Sequence, residues 1–208
     1  LKRDTLIPVT RFFRDKETLS LIEEQVIPVL CSLVENHPVI RVWVAACATG
    51  EEAYSYAILL AEAREKYKKL PQVKIFATDV EQTHIDFASA GVYPEAISKE
   101  VSPARLERFF TKIGNHYVIS SEIRQTIIFA KHNILEDPPF TKMHLVSCRN
   151  CLIYFDTPAQ ERALARFQYA LLKDGYFVQG SSESLGGFSQ EYVSVSAKNK
   201  IYKLIRAP

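Results

Sequence analysis

The segment Arg41-Val-Trp-Val-Ala-Ala-Cys-Ala-Thr-Gly-Glu-Glu-Ala-Tyr-Ser55 constrains the fold more than any other part of this chain. An apolar run passes through very small residues into an acidic, helix-forming stretch, the pattern of a strand, a turn and a helix that hold a cofactor. Such a turn lets a ligand lie close to the backbone, which favours Ala45, Ala46, Ala48 and Gly50, and the helix N-terminus supplies free N–H groups.

The rest of the chain alternates between helical and strand periods. Leu19, Ile22, Val26, Ile27, Leu30 and Leu33 form a helical stripe over 16–34, interrupted by Pro28, so an N-terminal helix with a kink is expected. A strand over 41–46 and a helix over 51–67 precede a second strand over 73–78 and a helix over 82–90 that ends at Gly91. Two βα units in succession predict a parallel α/β sheet. Further strands are expected over 126–130, 145–148 and 176–179, with a helix over 157–172. Two alternating runs, 192–196 and 200–205, predict a terminal antiparallel hairpin. Between about 91 and 125 the alternation lapses, leaving a short helix over 103–110 and a strand over 117–120. We read that stretch as an insertion on one domain, with 1–38 as a lid and helix segment packed on the cofactor-binding part, 39–208.

Composition removes several function classes. The 208 residues are 47% hydrophobic and 24% charged with a net charge of +2, the balance of a globular domain with no bias toward polyanions. No apolar run of about 18 residues exists to span a bilayer, so no membrane insertion and a cytoplasmic location are expected. Cys31, Cys47, Cys148 and Cys151 are too sparse for a disulfide scaffold and are read as reduced thiols. Cys148-Arg-Asn-Cys151 has zinc or redox spacing, but no second ligand pair accompanies it, and His37, His84, His116, His132 and His144 show no ligand spacing. No metal is expected. Arg64, Lys66, Lys68 and Lys69 read as a solvated helix end.

Asp79, at the end of the second strand, is placed to accept hydrogen bonds from the ribose hydroxyls of a nucleotide-like cofactor; its plainer reading is a cap on the following helix. The first turn lacks the glycine spacing of a dinucleotide site, and Glu51 and Glu52 at the helix N-terminus repel phosphate. Two carboxylates suit a cofactor with a cationic amine. S-adenosylmethionine carries an amine, a sulfonium and a ribose, so these residues point to methyl transfer, with one glutamate complementing the helix dipole and the other free for the ligand.

At this point the chain resembles the CheR family of chemotaxis receptor glutamate methyltransferases. The resemblance rests on Thr10-Arg-Phe-Phe-Arg14-Asp15, Thr49-Gly-Glu-Glu-Ala-Tyr-Ser55, Ala77-Thr-Asp79, His132-Asn133-Ile-Leu, Cys148-Arg-Asn-Cys-Leu-Ile-Tyr-Phe155 and Gly180-Ser-Ser-Glu-Ser184, in that order. It implies a class I, Rossmann-like, S-adenosylmethionine-dependent methyltransferase fold with a mixed seven-stranded sheet and a small inserted β-subdomain. It also implies glutamate methyl-ester formation on the cytoplasmic signalling helices of chemoreceptors, with S-adenosyl-L-homocysteine as product. By the same resemblance Ala46 and Glu52 line the methionine end of the cofactor and Asp79 holds the ribose. Asn133 and Ile134 lie near the adenine, Asn150 and Cys151 lie beside the cofactor, and Thr10 and Arg14 fold over it. Arg14 and Tyr154 flank the transferred methyl.

The chemistry suits that inventory, because a glutamate carboxylate is already ionised near pH 7 and needs positioning rather than a base. Departures from the family pattern are Pro8 and Ala46 at positions where Asn and Gly are common, and the lack of a helical domain before Thr10. The loop within Phe110-Thr-Lys-Ile-Gly-Asn-His-Tyr117 is short, so tethering to a receptor's C-terminal peptide is not expected. These departures suggest the module of a multidomain hybrid, and the reading from another class is a cofactor-binding sensory or scaffold module without methyl transfer. A nucleic-acid methyltransferase is disfavoured, since Asp137-Pro-Pro-Phe140 precedes the strand it would have to follow and reads as a rigid connector.

Overall fold

The structure is a computed structural model, and it describes residues 9–33, 36–67 and 71–206. The readings of Pro8, Lys68 and Lys69, and the last residue of the 16–34 helix, lie outside the described residues. Helix α1 (Lys16–Leu21) runs through a π-helical turn (Ile22–Val26) into α2 (Ile27–Ser32). Pro28 explains the turn: in a regular helix its ring would meet the carbonyl four residues back. The wider turn, closed by the Ile27 N–H on the Ile22 carbonyl, relieves that clash. Leu19, Ile22, Val26, Ile27 and Leu30 are buried, as the helical stripe requires.

Then follow β1 (Val39–Ala45), α3 (Glu51–Lys66), β2 (Gln72–Asp79) and α4 (Gln82–Ala90). Gly91 ends α4 in the left-handed conformation that a residue with no Cβ adopts without cost. The second half contains β6 (Ile127–Lys131), β7 (Met143–Cys148), α7 (Thr157–Ala170), β8 (Leu171–Gln179), β9 (Tyr192–Ser196) and β10 (Ile201–Leu204). Their sheet has the order β6-β2-β1-β7-β8-β10-β9. Its first five strands are parallel, and β10 is antiparallel to both β8 and β9. The sheet is mixed and seven-stranded, as the resemblance implies. The chain proceeds outward from β1 through β2 to β6, then returns to the other side of β1 as β7. That reversal opens a crevice at the carboxyl ends of β1 and β7, where α/β sheets bind ligands.

Central strands are apolar on both faces because helices cover both. Val42, Trp43, Val44 and Ala45 of β1 are all buried, as is every residue of β7. The Trp43 indole N–H donates to the Thr78 hydroxyl at 2.9 Å, joining β1 to β2 inside the core. Phe140 of the Asp-Pro-Pro-Phe connector packs against Trp43 and Phe76.

Two stretches differ from the sequence expectation. The strand expected from residue 176 starts at Leu171, which pairs with Met143; the chain then bulges before Tyr176 pairs with Leu145. Buried Leu171 fits a helix period as well as a strand period, which is why the helix was expected to continue. The insertion contains α5 (Pro103–Phe109), α6 (Ser121–Arg124) and a three-stranded antiparallel sheet of order β3-β5-β4, formed by β3 (Val92–Pro94), β4 (Phe110–Ile113) and β5 (His116–Ile119). Strands of three and four residues are too short to show an alternation. Tyr93 and Phe110 hold this small sheet to the body, and Phe12 packs edge-on against both rings, at 4.8 and 5.7 Å. The N-terminal segment is thereby seated on the insertion.

At the opposite end of the sheet, His144 of β7 accepts the Arg41 backbone N–H at Nδ1, at 3.1 Å. Burial, with the nearby His37, lowers its pKa from the ordinary 6.5 to about 4. Between those values the unfolded chain holds the extra proton, so this contribution to stability is complete above pH 6.5 and is lost as pH falls toward 4. We predict that His144→Asn, whose Oδ1 can accept the same N–H, flattens the pH dependence of the urea unfolding free energy in this window by up to about 1.4 kcal/mol per pH unit. Parallel slopes for variant and wild type would contradict the assignment.

Candidate functional site

The turn between β1 and α3 is left-handed at three positions: Ala46 (φ 54°), Ala48 (φ 47°) and Gly50 (φ 95°). For a residue with a Cβ that conformation costs roughly 1–2 kcal/mol, so the turn must be held from outside. The Cys47 N–H donates to the Thr78 carbonyl at 2.8 Å, the Ala48 N–H to Asp79 Oδ2 at 2.8 Å, and the Gly50 N–H to the Cys47 carbonyl at 3.0 Å. Tyr93, from the insertion, donates its hydroxyl to the Thr49 carbonyl at 2.6 Å. A Cβ on Gly50 would lie 2.8 Å from the Ala88 Cβ and 3.0 Å from the Tyr93 hydroxyl. The small residues therefore serve backbone conformation and close packing.

The two glutamates that open α3 have separate environments. Glu51 accepts the Thr49 hydroxyl at 2.7 and 2.9 Å, and burial raises its pKa. Glu52 reaches across to the carboxyl end of β7. Its Oε1 accepts from the Ser147 hydroxyl at 2.9 Å and from Arg149 Nη1 at 3.3 Å, and the Tyr56 hydroxyl in turn supports Ser147. Among the described residues, Glu52 Oε2 has no hydrogen-bond partner. One oxygen of this carboxylate is fixed and the other is available.

Arg149, at the end of β7, is the cation of this cluster. Its side chain is 3% exposed, and it also bonds Asp15 Oδ2 at 2.6 Å and the Arg14 carbonyl at 3.2 Å. Burial works against its charge, but Glu52, Tyr56 and Asp15 outweigh that and its pKa is raised. Arg14 itself sits between Phe13 and Asp15, both left-handed, and its guanidinium donates to the Val9 carbonyl. Thr10, half-buried, lies at the start of the same segment.

Asp79 is 8% exposed, and its Oδ1 accepts the Glu81 N–H at 3.0 Å and lies 3.3 Å from His84 Nδ1. With Ala48 on Oδ2, two backbone N–H groups use two of about four acceptor positions, and a third is taken in the His84 tautomer that carries its proton on Nδ1, so at least one is left. Asn133 shapes its own turn: its Oδ1 accepts the Leu135 N–H and its N–H donates to Asp137. Ile134 is a core residue, packed with the Trp43 cluster. Asn150 (φ 58°) and Cys151 follow β7 in a loop organised by Glu183, whose buried carboxylate accepts four backbone N–H groups, those of Asn150, Cys151, Leu152 and Gly180, at 2.7–3.1 Å. A Cβ on Gly180 would lie 2.6 Å from the Asn150 side-chain oxygen. Tyr154 ends the short 3-10 turn after that loop and is 67% exposed. No hydrogen bond joins it to Arg14 among the described residues.

The structure thus gathers Ala46, Glu52 and Asp79 about one turn, links Arg14 to Glu52 through Arg149, and places Asn150 and Cys151 on one clamped loop. Arg149, Glu183 and Tyr93 carry this geometry, yet sequence reasoning gave them no role. The first two sit inside motifs quoted for the resemblance, which was the available signal. All four cysteines are free thiols; burial raises the pKa of Cys47, and Cys151 with burial raises that of Cys148. Among the described residues no group of three or more His, Cys, Asp or Glu side chains could hold a metal, and no helix is long and apolar enough to cross a membrane.

Residues 8–201 match the family described as CheR methyltransferase, SAM binding domain. An uncharacterized 104.1 kDa protein of Rhodobacter capsulatus is 48% identical over 206 residues, which are 99% of this chain and 22% of that protein. The putative methyltransferase Cher3 of Pseudomonas putida is 33% identical, with 95% of this chain and 73% of the relative covered. A chemotaxis protein methyltransferase of Vibrio anguillarum is 32% identical, with 94% and 72% covered. The chain therefore spans about a fifth of the Rhodobacter protein and nearly three quarters of the other two.

The Glu183 clamp is directly testable. Glu183→Gln turns one acceptor into an N–H₂ facing backbone donors, and we predict a loss of about 2–3 kcal/mol in urea unfolding. A change within about 0.5 kcal/mol, the level of an ordinary surface substitution, would show that the carboxylate does not hold the loop.

Proposed function

The chain belongs to the CheR methyltransferase family, and on that premise we propose that it transfers the methyl of S-adenosylmethionine to glutamate side chains on the cytoplasmic signalling helices of a chemoreceptor. The observation that carries this reading is Glu52. Its anchored Oε1 fixes the carboxylate, and its Oε2, without a partner among the described residues, is the acceptor for the donor's cationic amine. The remaining acceptor position on Asp79 suits a ribose hydroxyl. Ala46 and Ala48 put only methyl groups over the turn.

When bound, the cofactor supplies an electrophilic methyl that an ionised carboxylate takes up without a general base. What the protein's residues provide is orientation. Arg14, on a segment seated against the insertion, swings from the Val9 carbonyl to hold the substrate carboxylate by charge-assisted hydrogen bonds. Tyr154, exposed to solvent, is assigned to present its hydroxyl beside it. Asn150 and Cys151, fixed by Glu183, line the side of the cofactor, and Asn133 and Ile134 the adenine end, with Thr10 covering the site.

β4 and β5 are joined by only Gly114 and Asn115, with Gly114 left-handed (φ 59°). A connection this tight supports the reading that the insertion does not tether a receptor tail.

The test is titration with S-adenosylmethionine followed by labelled methyl transfer to receptor cytoplasmic fragments. Arg14→Ala and Tyr154→Phe should each lower kcat about tenfold or more while cofactor affinity stays within about threefold, since both act on the transition state rather than on donor binding. Equal losses in both quantities would refute their roles, and binding without transfer by the intact wild-type protein would identify a sensory module instead. Titration with receptor C-terminal peptides should show no saturation at micromolar concentration; micromolar affinity would overturn the no-tether reading.

A further inference from the structure

We propose that Arg149 is a positioning residue that couples the amine-binding carboxylate of Glu52 to the segment carrying Arg14, so that donor binding and placement of the substrate-holding arginine are linked. The inference rests on the roles given above to Glu52 and Arg14. Arg149 reaches both sides with one planar group: Nη1 goes to Glu52 Oε1 at 3.3 Å, and Nη2 goes to Asp15 Oδ2 at 2.6 Å and to the Arg14 carbonyl at 3.2 Å. Its Nε–H is buried without a partner among the described residues. A guanidinium so completely desolvated, with its Nε–H left unpaired, is an expensive way to hold a loop unless its fork geometry is needed.

The segment it holds is anchored before Arg14 by the buried rings of Phe12 and Phe13, whereas Arg149 is the side chain that holds the Arg14 carbonyl and the Asp15 carboxylate. Phe13 (φ 51°) and Asp15 (φ 56°) are left-handed on either side of Arg14, so the Arg14 side chain points where those two residues send it. Beyond Arg149, the segment is held by the Phe12 N–H on Glu100 and the Phe13 N–H on the Ser55 hydroxyl, both at 2.9 Å. Ser55 lies on α3, one turn after Glu51, and its own hydroxyl donates to the Glu51 carbonyl. Charge across the cluster is left unbalanced. Glu52 and Asp15 outnumber Arg149 by one negative charge, which a cationic amine on Glu52 Oε2 would neutralise.

The test compares the intact wild-type protein with Arg149→Gln, Arg149→Lys and Asp15→Asn. Asp15 is 43% exposed, so its variant folds even if the buried Arg149 variants do not. Arg149→Gln should raise KM for S-adenosylmethionine and lower kcat, each about tenfold or more, as expected when one partner of a buried charge cluster is removed. Asp15→Asn, which loosens only the segment, should lower kcat with KM nearly unchanged. Arg149→Lys, a single point charge, should restore KM but not kcat. Asp15→Asn should cost nothing further when added to Arg149→Gln. S-adenosylhomocysteine should slow amide hydrogen exchange over residues 9–15 in the wild type and not in Arg149→Gln. Wild-type kcat in Asp15→Asn, additive losses, or unchanged protection in Arg149→Gln would overturn the coupling. If the wild type binds S-adenosylhomocysteine but methylates no receptor fragment, the substrate reading fails alone, and the exchange measurement still decides the coupling.

Discussion

The hydrogen bond from the Ala48 N–H to the Asp79 carboxylate, 2.8 Å long and largely buried, is the constraint on which the rest of this site depends. It ties the turn after β1 to the end of β2, and so makes tolerable a backbone that is left-handed at Ala46, Ala48 and Gly50. The turn in turn aims the first residues of α3. Had the backbone followed ordinary right-handed values there, Glu52 would not meet Ser147 and Arg149 at the end of β7. A second tie, from Tyr93 to the Thr49 carbonyl, comes from the insertion. The small β-sheet is thus part of the cofactor turn's support, whatever else it contacts.

Two adjacent carboxylates at a helix N-terminus pose an electrostatic question that the structure resolves by separation. Glu51 turns back to the Thr49 hydroxyl and is desolvated. Glu52 keeps company with a buried guanidinium, which offsets its charge without occupying both oxygens. The same guanidinium reaches the N-terminal segment, so three stretches distant in sequence, around Asp15, Glu52 and Arg149, meet at one cation. Glu183 plays the parallel part for the loop after β7, where a single carboxylate gathers four N–H groups of irregular backbone that would otherwise be buried without partners.

Much of this was legible in the sequence because it is local. The helix over 82–90 and its Gly91 stop, the successive βα units and the terminal hairpin all follow from period and from backbone preference. The π-turn before Pro28 was visible as a kink, though its form depends on how the neighbouring residues pack. The tertiary partnerships were not legible. Nothing in the spacing of Cys148-Arg-Asn-Cys151 says that Arg149 will meet Asp15, or that Glu183 will fold onto the same loop, because those contacts exist only once the sheet order is set. The plainer reading of Asp79, that of a helix cap, is also partly met: its carboxylate does bond the Glu81 N–H ahead of α4. Burial separates the remaining candidates: Ile134 is a wall of the core, while Tyr154 stands in solvent.

The most direct test of the account is calorimetric titration of wild type, Glu52→Gln and Glu51→Gln with S-adenosylhomocysteine and with methylthioadenosine, which has the same nucleoside but no amine. The account predicts that Glu52→Gln weakens S-adenosylhomocysteine by about tenfold or more, the worth of a charge-assisted hydrogen bond, and leaves methylthioadenosine unchanged, while Glu51→Gln changes neither strongly. Equal weakening of both ligands by Glu52→Gln, or of neither, would contradict the claim that Glu52 is the receptor for the amine.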